Sequence, residues 1–139
     1  MFLTKNILCW DRVKPGVMIV EDERIIARDL EDALKELGYE VVAVVHSGED
    51  AVKKALELKP DVVLMNIGLE HRMSGLDAAE QIYENLNTPI IYLTGYLNKE
   101  VLDRIRSISN NFEYYIRKPF KSDELPGLIE RAYHRYSQN

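Results

Sequence analysis

The chain has little of what several classes of protein require. It has 139 residues and a single cysteine, Cys9, so it can form neither an internal disulfide nor a cysteine metal cluster, which suits a reducing cytoplasm. No apolar run approaches the roughly 20 residues that a membrane-spanning helix needs. The 18 basic residues are outnumbered by 23 acidic ones, for a formal net charge of −5, which argues against a nucleic-acid-binding surface. The composition predicts a cytoplasmic protein that binds neither membranes nor nucleic acids.

What the sequence does have is enough apolar residues for one folded core. They make up 46% of the chain, which excludes a disordered protein, and 139 residues suit one domain better than two. We expect residues 1–16 to form an N-terminal extension and residues 17–139 to form the domain. The extension contains Ile7, Leu8 and Trp10 and is too apolar for a solvated tail. We therefore expect it to pack on the domain or on a second chain, unless it is incidental to the fold.

Five short strand-like runs alternate with five longer helical ones. The strand-like runs are rich in Val, Ile and Tyr, and several are apolar at successive positions, which is typical of strands buried on both faces of a parallel sheet. They are residues 17–20, 40–45, 61–67, 89–94 and 112–116. This order predicts an α/β fold: a doubly wound five-stranded parallel sheet with helices on both faces.

The segments between these runs carry apolar residues at helical spacing. The expected helices fall within residues 26–37, 47–58, 76–86, 101–108 and 125–136. Gly38 is expected to end the first helix. Ser47 with Asp50 three residues later resembles a capping box at the start of the second, and Ser122 is the expected cap of the last.

Polar residues stand where the predicted strands end. They are Glu21 and Asp22 after the first strand, Asn66 at the end of the third, Thr94 at the end of the fourth and Lys118 after the fifth. In a doubly wound sheet these positions meet at the carboxyl edge, where ligands bind. Carboxylate oxygens suit Mg²⁺, and Lys and Thr suit phosphate oxygens, so we expect a cation and phosphoryl site. An alternative is that the acids after the first strand merely offset the dipole of the helix that follows. Their coincidence with Thr94 and Lys118 at other strand ends favours the cation and phosphoryl site.

Five stretches of the sequence together resemble the response-regulator receiver domain of two-component phosphorelays. In the family's order and spacing, they are residues 17–23, 60–66, 73–76, 92–96 and 115–120. The resemblance runs from about Val17 to the C-terminus and implies the (βα)5, flavodoxin-like receiver fold. It also implies a protein of signal transduction and not an enzyme.

The resemblance implies a set of metal ligands at the first and third strands. Asp22 would bind Mg²⁺ directly, and Glu21 would hold the ion through water. The side chain at position 66, here Asn66, and the backbone carbonyl of Gly68 would complete the ligands.

The resemblance further implies residues that act on the phosphoryl group. Thr94 would bond a phosphoryl oxygen, and Lys118 would pair with it as a point charge. Tyr115 would be the switch residue that turns inward when Thr94 moves. The Lys118–Pro119 bond would be a cis peptide, as in the family.

Position 66 departs from the family pattern. The family has there the aspartate that accepts a phosphoryl group from a histidine kinase, whereas Asn66 has a neutral amide that is not expected to attack phosphorus. The missing charge should leave Mg²⁺ binding weak or absent, and Lys118, without its anionic partner, is expected to turn toward Glu21 or Asp22. Two explanations stay open: an engineered or sequencing change in an ordinary receiver, or a natural receiver that works without phosphorylation.

The expected mode of action is docking. With no output domain in the sequence, the receiver, stand-alone or excised from a longer protein, would dock to a histidine kinase, a phosphotransfer protein or a downstream partner. The fourth helix, fifth strand and last helix, or the N-terminal extension, could form a homodimer. The rival interpretation is a magnesium-dependent phosphatase, but Asn66 supplies no nucleophile, and the sequence has no H-E-x-x-H pair, Walker loop or G-x-S-x-G motif.

Overall fold

Five parallel strands form one sheet at the centre of the domain. The computed structural model describes residues 14–69, 73–108 and 114–137. Its strands are β1 (Gly16–Val20), β2 (Glu40–Val45), β3 (Val62–Asn66), β4 (Ile90–Thr94) and β5 (Tyr115–Arg117). They lie in the order β2-β1-β3-β4-β5, and each neighbouring pair is parallel. This confirms the predicted α/β class and the doubly wound, flavodoxin-like receiver fold.

Five α-helices cover the two faces of the sheet. They are α1 (Arg24–Glu36), α2 (Gly48–Leu58), α3 (Gly75–Asn85), α4 (Lys99–Ile108) and α5 (Leu125–Ser137). On one face α1 and α5 contribute buried residues such as Leu34 and Ile129. On the other face α2, α3 and α4 contribute Ala55, Ile82 and Ile105. The helices therefore lie on both faces, as the alternating pattern predicted. None of the helices in the described ranges is long and apolar enough to cross a bilayer.

The inner strands are buried on both faces because their residues alternate between the two helix layers. In β1, Val17 and Ile19 pack toward α1 and α5, while Met18 and Val20 pack toward the other layer. Every residue of β1, β3 and β4 is buried. Water is thus excluded from both faces, which explains why these strands are apolar at successive positions.

The predicted ends of the first two helices agree with the structure. Gly38 follows α1 with a φ of 92°, a left-handed conformation that glycine adopts without strain. Ser47 precedes α2, and its hydroxyl accepts a hydrogen bond from the Asp50 backbone N–H at 3.1 Å. The chain is therefore turned out of α1 and into α2 by the residues that the sequence indicated.

The predicted start of the last helix is wrong. Ser122 is not its cap but the first residue of a 3-10 turn, Ser122–Glu124, that precedes α5. The Lys121 backbone N–H donates to Glu124 Oε2 at 2.8 Å, so the side chain that caps this turn belongs to Glu124 and not to Ser122. Pro126 stands in the first turn of α5, where a backbone N–H would have no partner within the helix.

Several boundaries shift, and part of the chain lies outside the described residues. The last strand covers Tyr115–Arg117 in place of residues 112–116, of which 112 and 113 lie outside the described residues. β1 begins at Gly16, one residue before the expected start of the domain. In the predicted extension, Lys14 Nζ donates to the Leu37 carbonyl at 3.1 Å and lies 4.8 Å from the centre of the Tyr39 ring. Residues 1–13 lie outside the described residues, so the packing of the extension stays a prediction.

Candidate functional site

The strand ends bring the predicted polar residues into one pocket. β1 and β3 are neighbours in the sheet, and β4 and β5 follow, so their carboxyl ends share one edge. Asn66 contacts Glu21, which lies 45 residues before it, and Lys118, which lies 52 residues after it. Asp22 lies in the same cluster, 3.2 Å from the Asn66 amide nitrogen. The expected convergence of these four residues is confirmed.

The Asn66 side chain makes four hydrogen bonds in this pocket. Its Nδ2 donates to Glu21 Oε2 at 3.1 Å and to Asp22 Oδ1 at 3.2 Å. Its Oδ1 accepts from the Gly68 backbone N–H at 3.1 Å and from Lys118 Nζ at 3.2 Å. A primary amide offers two donors and two acceptor positions, so all four are used.

The surrounding charges select this orientation of the amide. The NH₂ group faces two carboxylates, which can only accept hydrogen bonds when ionised, and the carbonyl faces an ammonium and a backbone N–H. If the amide of Asn66 were turned over, its N–H groups would oppose the Lys118 ammonium and its oxygen would oppose the acids. Both contacts would be repulsive, so the pocket holds the amide in one orientation.

Glu21 is the most buried charged group of the pocket, with none of its surface exposed. Its Oε2 also accepts from the Glu23 backbone N–H at 3.1 Å. Its Oε1 has no hydrogen-bond partner within the described residues, although Lys118 Nζ lies 3.5 Å away as a charge partner. Burial raises the pKa of the Glu21 carboxyl, and the hydrogen bond and charge of Asp22 add to this, while the Glu23 N–H and Lys118 oppose it. Lys118 thus lies near Glu21, as expected, but its hydrogen bond is to the Asn66 oxygen.

Thr94 stands at the same edge but is engaged with its own loop. Its hydroxyl donates to the Tyr96 carbonyl at 2.7 Å and accepts from the Tyr96 N–H at 3.1 Å. To bond a phosphoryl oxygen, this hydroxyl would have to give up its bond to the Tyr96 carbonyl. The role predicted for Thr94 therefore stays a prediction, and Tyr96 is its backbone partner in this structure, which the sequence did not indicate.

The remaining predicted features are Tyr115, Gly68 and the Lys118–Pro119 peptide bond. Tyr115 is half-buried at the start of β5, pairs with Tyr92 across the sheet and packs against the layer of α2, α3 and α4. Gly68 contacts the pocket through its N–H, so the metal-binding role predicted for its carbonyl stays a prediction. The Lys118–Pro119 peptide bond is cis, as the resemblance implied.

Gly75 is a site residue that the sequence analysis did not single out. A Cβ at this position would overlap the carbonyl oxygen of Asn66, so only glycine lets the start of α3 approach the end of β3 so closely. The sequence feature that could have indicated Gly75 is its position directly after Ser74, a residue type that often caps helices. In the structure the Ser74 hydroxyl accepts from the Asp77 N–H at 3.1 Å and so caps α3.

The donor set of the pocket does not fit Mg²⁺ as the family resemblance would place it. Mg²⁺ takes oxygen ligands, and the group between Glu21 and Asp22 is the NH₂ of Asn66, which has no lone pair to offer. The amide oxygen, which could be a ligand, faces Lys118 instead. Within the described ranges no three His, Cys, Asp or Glu side chains are grouped as a metal site.

The comparisons with known proteins decide the family. The sequence profile of the response regulator receiver domain matches residues 17–130 of this chain. The chain belongs to this family. It is a receiver domain of two-component signal transduction, as the resemblance implied.

Known proteins similar to this receiver agree with that assignment. The transcriptional regulatory protein PdtaR of Mycobacterium tuberculosis is 36% identical over 122 residues, 88% of this chain and 58% of PdtaR. The phyllosphere-induced regulator PhyR of Methylorubrum extorquens is 32% identical over 117 residues, 84% of this chain and 42% of PhyR. This receiver thus spans about half the length of these two relatives.

A solved structure shows the same architecture. The signal receiver domain of a modulated diguanylate cyclase from Desulfovibrio desulfuricans is 37% identical to this chain and superposes with a TM-score of 0.82. The match covers 91% of this chain and 98% of that domain.

Proposed function

We propose that this receiver domain signals in the cytoplasm by docking to a partner protein and is not phosphorylated at position 66. The observation that carries the proposal is the Asn66 amide, which stands where the family resemblance places the acceptor carboxylate and makes four hydrogen bonds there. A phosphoacceptor needs an oxygen with negative charge and a lone pair free to attack phosphorus.

Neither atom of the amide meets that requirement. The Asn66 oxygen is neutral and accepts from Lys118 and from the Gly68 N–H, so both of its lone-pair directions are taken. The nitrogen lone pair is delocalised into the amide, and both N–H groups point at acids.

Incubation with acetyl phosphate and Mg²⁺, followed by intact-protein mass spectrometry, tests the proposal. The unchanged domain should gain no phosphoryl group at position 66. The matched variant Asn66→Asp, which restores a carboxylate between Glu21 and Lys118, should gain one. A phosphoryl group mapped to Asn66 by peptide analysis would contradict the proposal, and an Asn66→Asp variant that takes up none would show that another feature blocks the chemistry.

The partners proposed for the domain are a histidine kinase or a phosphotransfer protein. Membership of the receiver family supports this choice, because such proteins are the family's upstream partners. Binding without phosphorylation predicts that the affinity measured by titration calorimetry is unchanged by acetyl phosphate. A kinase that binds only after phosphodonor treatment would contradict this.

A homodimer remains a second proposed association. The surface would be α4, β5 and α5, on which Arg117 is exposed, or the N-terminal residues 1–16. Sedimentation at increasing protein concentration should show a larger species if either surface self-associates. Arg117→Glu and deletion of residues 1–13 would tell the two surfaces apart.

We also propose that the domain is not an enzyme and that its Mg²⁺ binding is weak or absent. A magnesium-dependent phosphatase needs an aspartate nucleophile, and the pocket presents an amide at the corresponding strand end. Turnover of a chromogenic phosphate ester in the presence of Mg²⁺ should stay at the rate of the buffer alone. Turnover by the purified domain that is lost in Asn66→Ala would support the phosphatase instead.

A further inference from the structure

We infer that the Asn66 amide replaces the cation as the group that joins the two acids of this receiver, so that the pocket is assembled without metal. The inference deepens the proposed function, because it rests on Asn66 as the native occupant of the acceptor position. It assigns Asn66 a positioning role and makes the site insensitive to Mg²⁺.

The first step is the balance of charge around Asn66. Glu21 and Asp22 bring two negative charges, and Lys118 brings one positive charge. A carboxylate at position 66 would add a third negative charge to a pocket in which Glu21 is already fully buried, and a cation would be needed to offset it. The neutral amide removes that need.

The second step is the geometry between the acids. Each N–H of Asn66 is donated to a different acid, to Glu21 Oε2 at 3.1 Å and to Asp22 Oδ1 at 3.2 Å. The two acids are thus held by one donor group between them. A ligand in that place would have to displace both hydrogen bonds.

The third step is the number of elements that Asn66 joins. Through Glu21 and Asp22 it holds the end of β1, through Gly68 the loop after β3, and through Lys118 the residue after β5. Lys118 is thereby kept 3.5 Å from Glu21 Oε1, the buried oxygen without a hydrogen bond within the described residues. Loss of this amide would release several contacts between residues far apart in sequence.

The local backbone protects the amide itself. Conversion of asparagine to aspartate through a cyclic imide needs the next backbone nitrogen to attack the side-chain carbonyl. Here the Ile67 N–H is donated to the Leu93 carbonyl at 3.0 Å, so this nitrogen is held in the sheet. The mass of the purified protein should therefore remain that of Asn66 throughout the measurements.

Thermal unfolding with and without millimolar Mg²⁺ tests the inference. The unchanged domain should show the same midpoint in both conditions. Asn66→Asp should unfold at a lower temperature without Mg²⁺ and gain several degrees when it is added, since a carboxylate recreates the need for a cation. Asn66→Ala, which removes the bridge, should be less stable than the unchanged domain in both conditions. Asn87→Asp is the matched control, because it adds the same charge on an exposed side chain between α3 and β4, at the amino edge of the sheet.

A spectroscopic measurement separates the bridge from general stability. In ¹⁵N-labelled protein the Asn66 NH₂ pair should exchange slowly with solvent, because both hydrogens are bonded, and neither it nor the Gly68 N–H should shift on addition of Mg²⁺. In Asn66→Asp the Gly68 N–H should shift on the same addition.

Two results would overturn the inference. One is a midpoint of the unchanged domain that rises with Mg²⁺ as much as that of Asn66→Asp, and the other is an Asn66→Ala variant as stable as the unchanged domain. Neither result would touch the proposed docking without phosphorylation, which fails only if a phosphoryl group is found on Asn66 or if docking requires phosphorylation. A midpoint that rises with Mg²⁺ would also contradict the weak Mg²⁺ binding proposed above. The two ideas can therefore fail separately.

Discussion

At the scale of single residues, Gly75 determines how closely α3 approaches the pocket. A Cβ there would overlap the Asn66 carbonyl oxygen and lie 2.9 Å from the Ile67 Cα, both of which are backbone atoms that cannot turn away. Gly75→Ala should therefore lower the free energy of unfolding by about 2–3 kcal/mol, measured by urea denaturation.

Gly95→Ala is the control for this substitution. A Cβ at Gly95 would meet no atom within 4 Å, so the added methyl group should be neutral or stabilise the domain by about 0.5 kcal/mol through the unfolded chain. If the two variants lost the same stability, the close approach at Gly75 would not be the cause.

The pocket shows which properties of single residues the sequence can predict. The meeting of Glu21, Asn66 and Lys118 followed from the strand order, because parallel strands fix which ends share an edge. The orientation of the amide did not follow, since it depends on four contacts with three separate segments. The bond between Thr94 and Tyr96 depends on the path of one loop, which has no periodic signal.

At the scale of elements, one hydrogen bond ties the start of β2 to α5. Tyr39, which is 3% exposed, donates its hydroxyl proton to Glu130 Oε2 at 2.9 Å. Burial, together with the hydrogen bond and charge of Glu130, raises the pKa of Tyr39 above its ordinary value of 10.0. The protonated phenol is therefore favoured in the folded state.

Tyr39→Phe should lower the free energy of unfolding by about 1 kcal/mol at neutral pH, because Glu130 is partly exposed and can bond water instead. The raised pKa means that this stabilisation is complete below pH 10.0 and is lost as the pH rises toward the pKa of the folded state. The difference in the free energy of unfolding between the unchanged domain and Tyr39→Phe, measured by urea denaturation, should therefore shrink at alkaline pH.

Tyr96→Phe, at a residue that is 72% exposed, serves as the control. A difference that grew above pH 10.0 would contradict the assigned direction of the pKa shift.

The elements themselves were largely predictable, and their exceptions have local causes. The order of strands and helices followed from apolar periodicity, which buried sheets and amphipathic helices impose strongly. The predicted start of α5 was wrong because Ser122 begins a separate 3-10 turn. The Glu124 side chain stabilises this turn by accepting a hydrogen bond from the Lys121 backbone N–H. A serine before an apolar run indicates a cap, but it does not distinguish the first turn of an α-helix from a separate 3-10 turn.

At the scale of the whole molecule, the sheet divides the core into two apolar layers. One is shared with α1 and α5, and the other with α2, α3 and α4. Within the described residues the two layers form separate clusters, divided by inner strands whose successive residues belong to opposite layers. A small change in one layer should therefore reach the other only through the shared sheet.

This separation predicts additive effects on stability. Ile82 on α3 and Ile129 on α5 are both fully buried, on opposite faces of the sheet. Ile82→Val and Ile129→Val should each lower the free energy of unfolding by about 1 kcal/mol, through a lost methylene and a small cavity. The double variant should lose the sum of the two single losses in free energy of unfolding, within about 0.5 kcal/mol, because the two side chains share no contact.

Denaturation followed by circular dichroism and by tyrosine fluorescence measures these losses. A coupling energy near 1 kcal/mol would mean that the layers repack together, whereas coincident transitions with additive losses would show two layers that unfold as one cooperative unit.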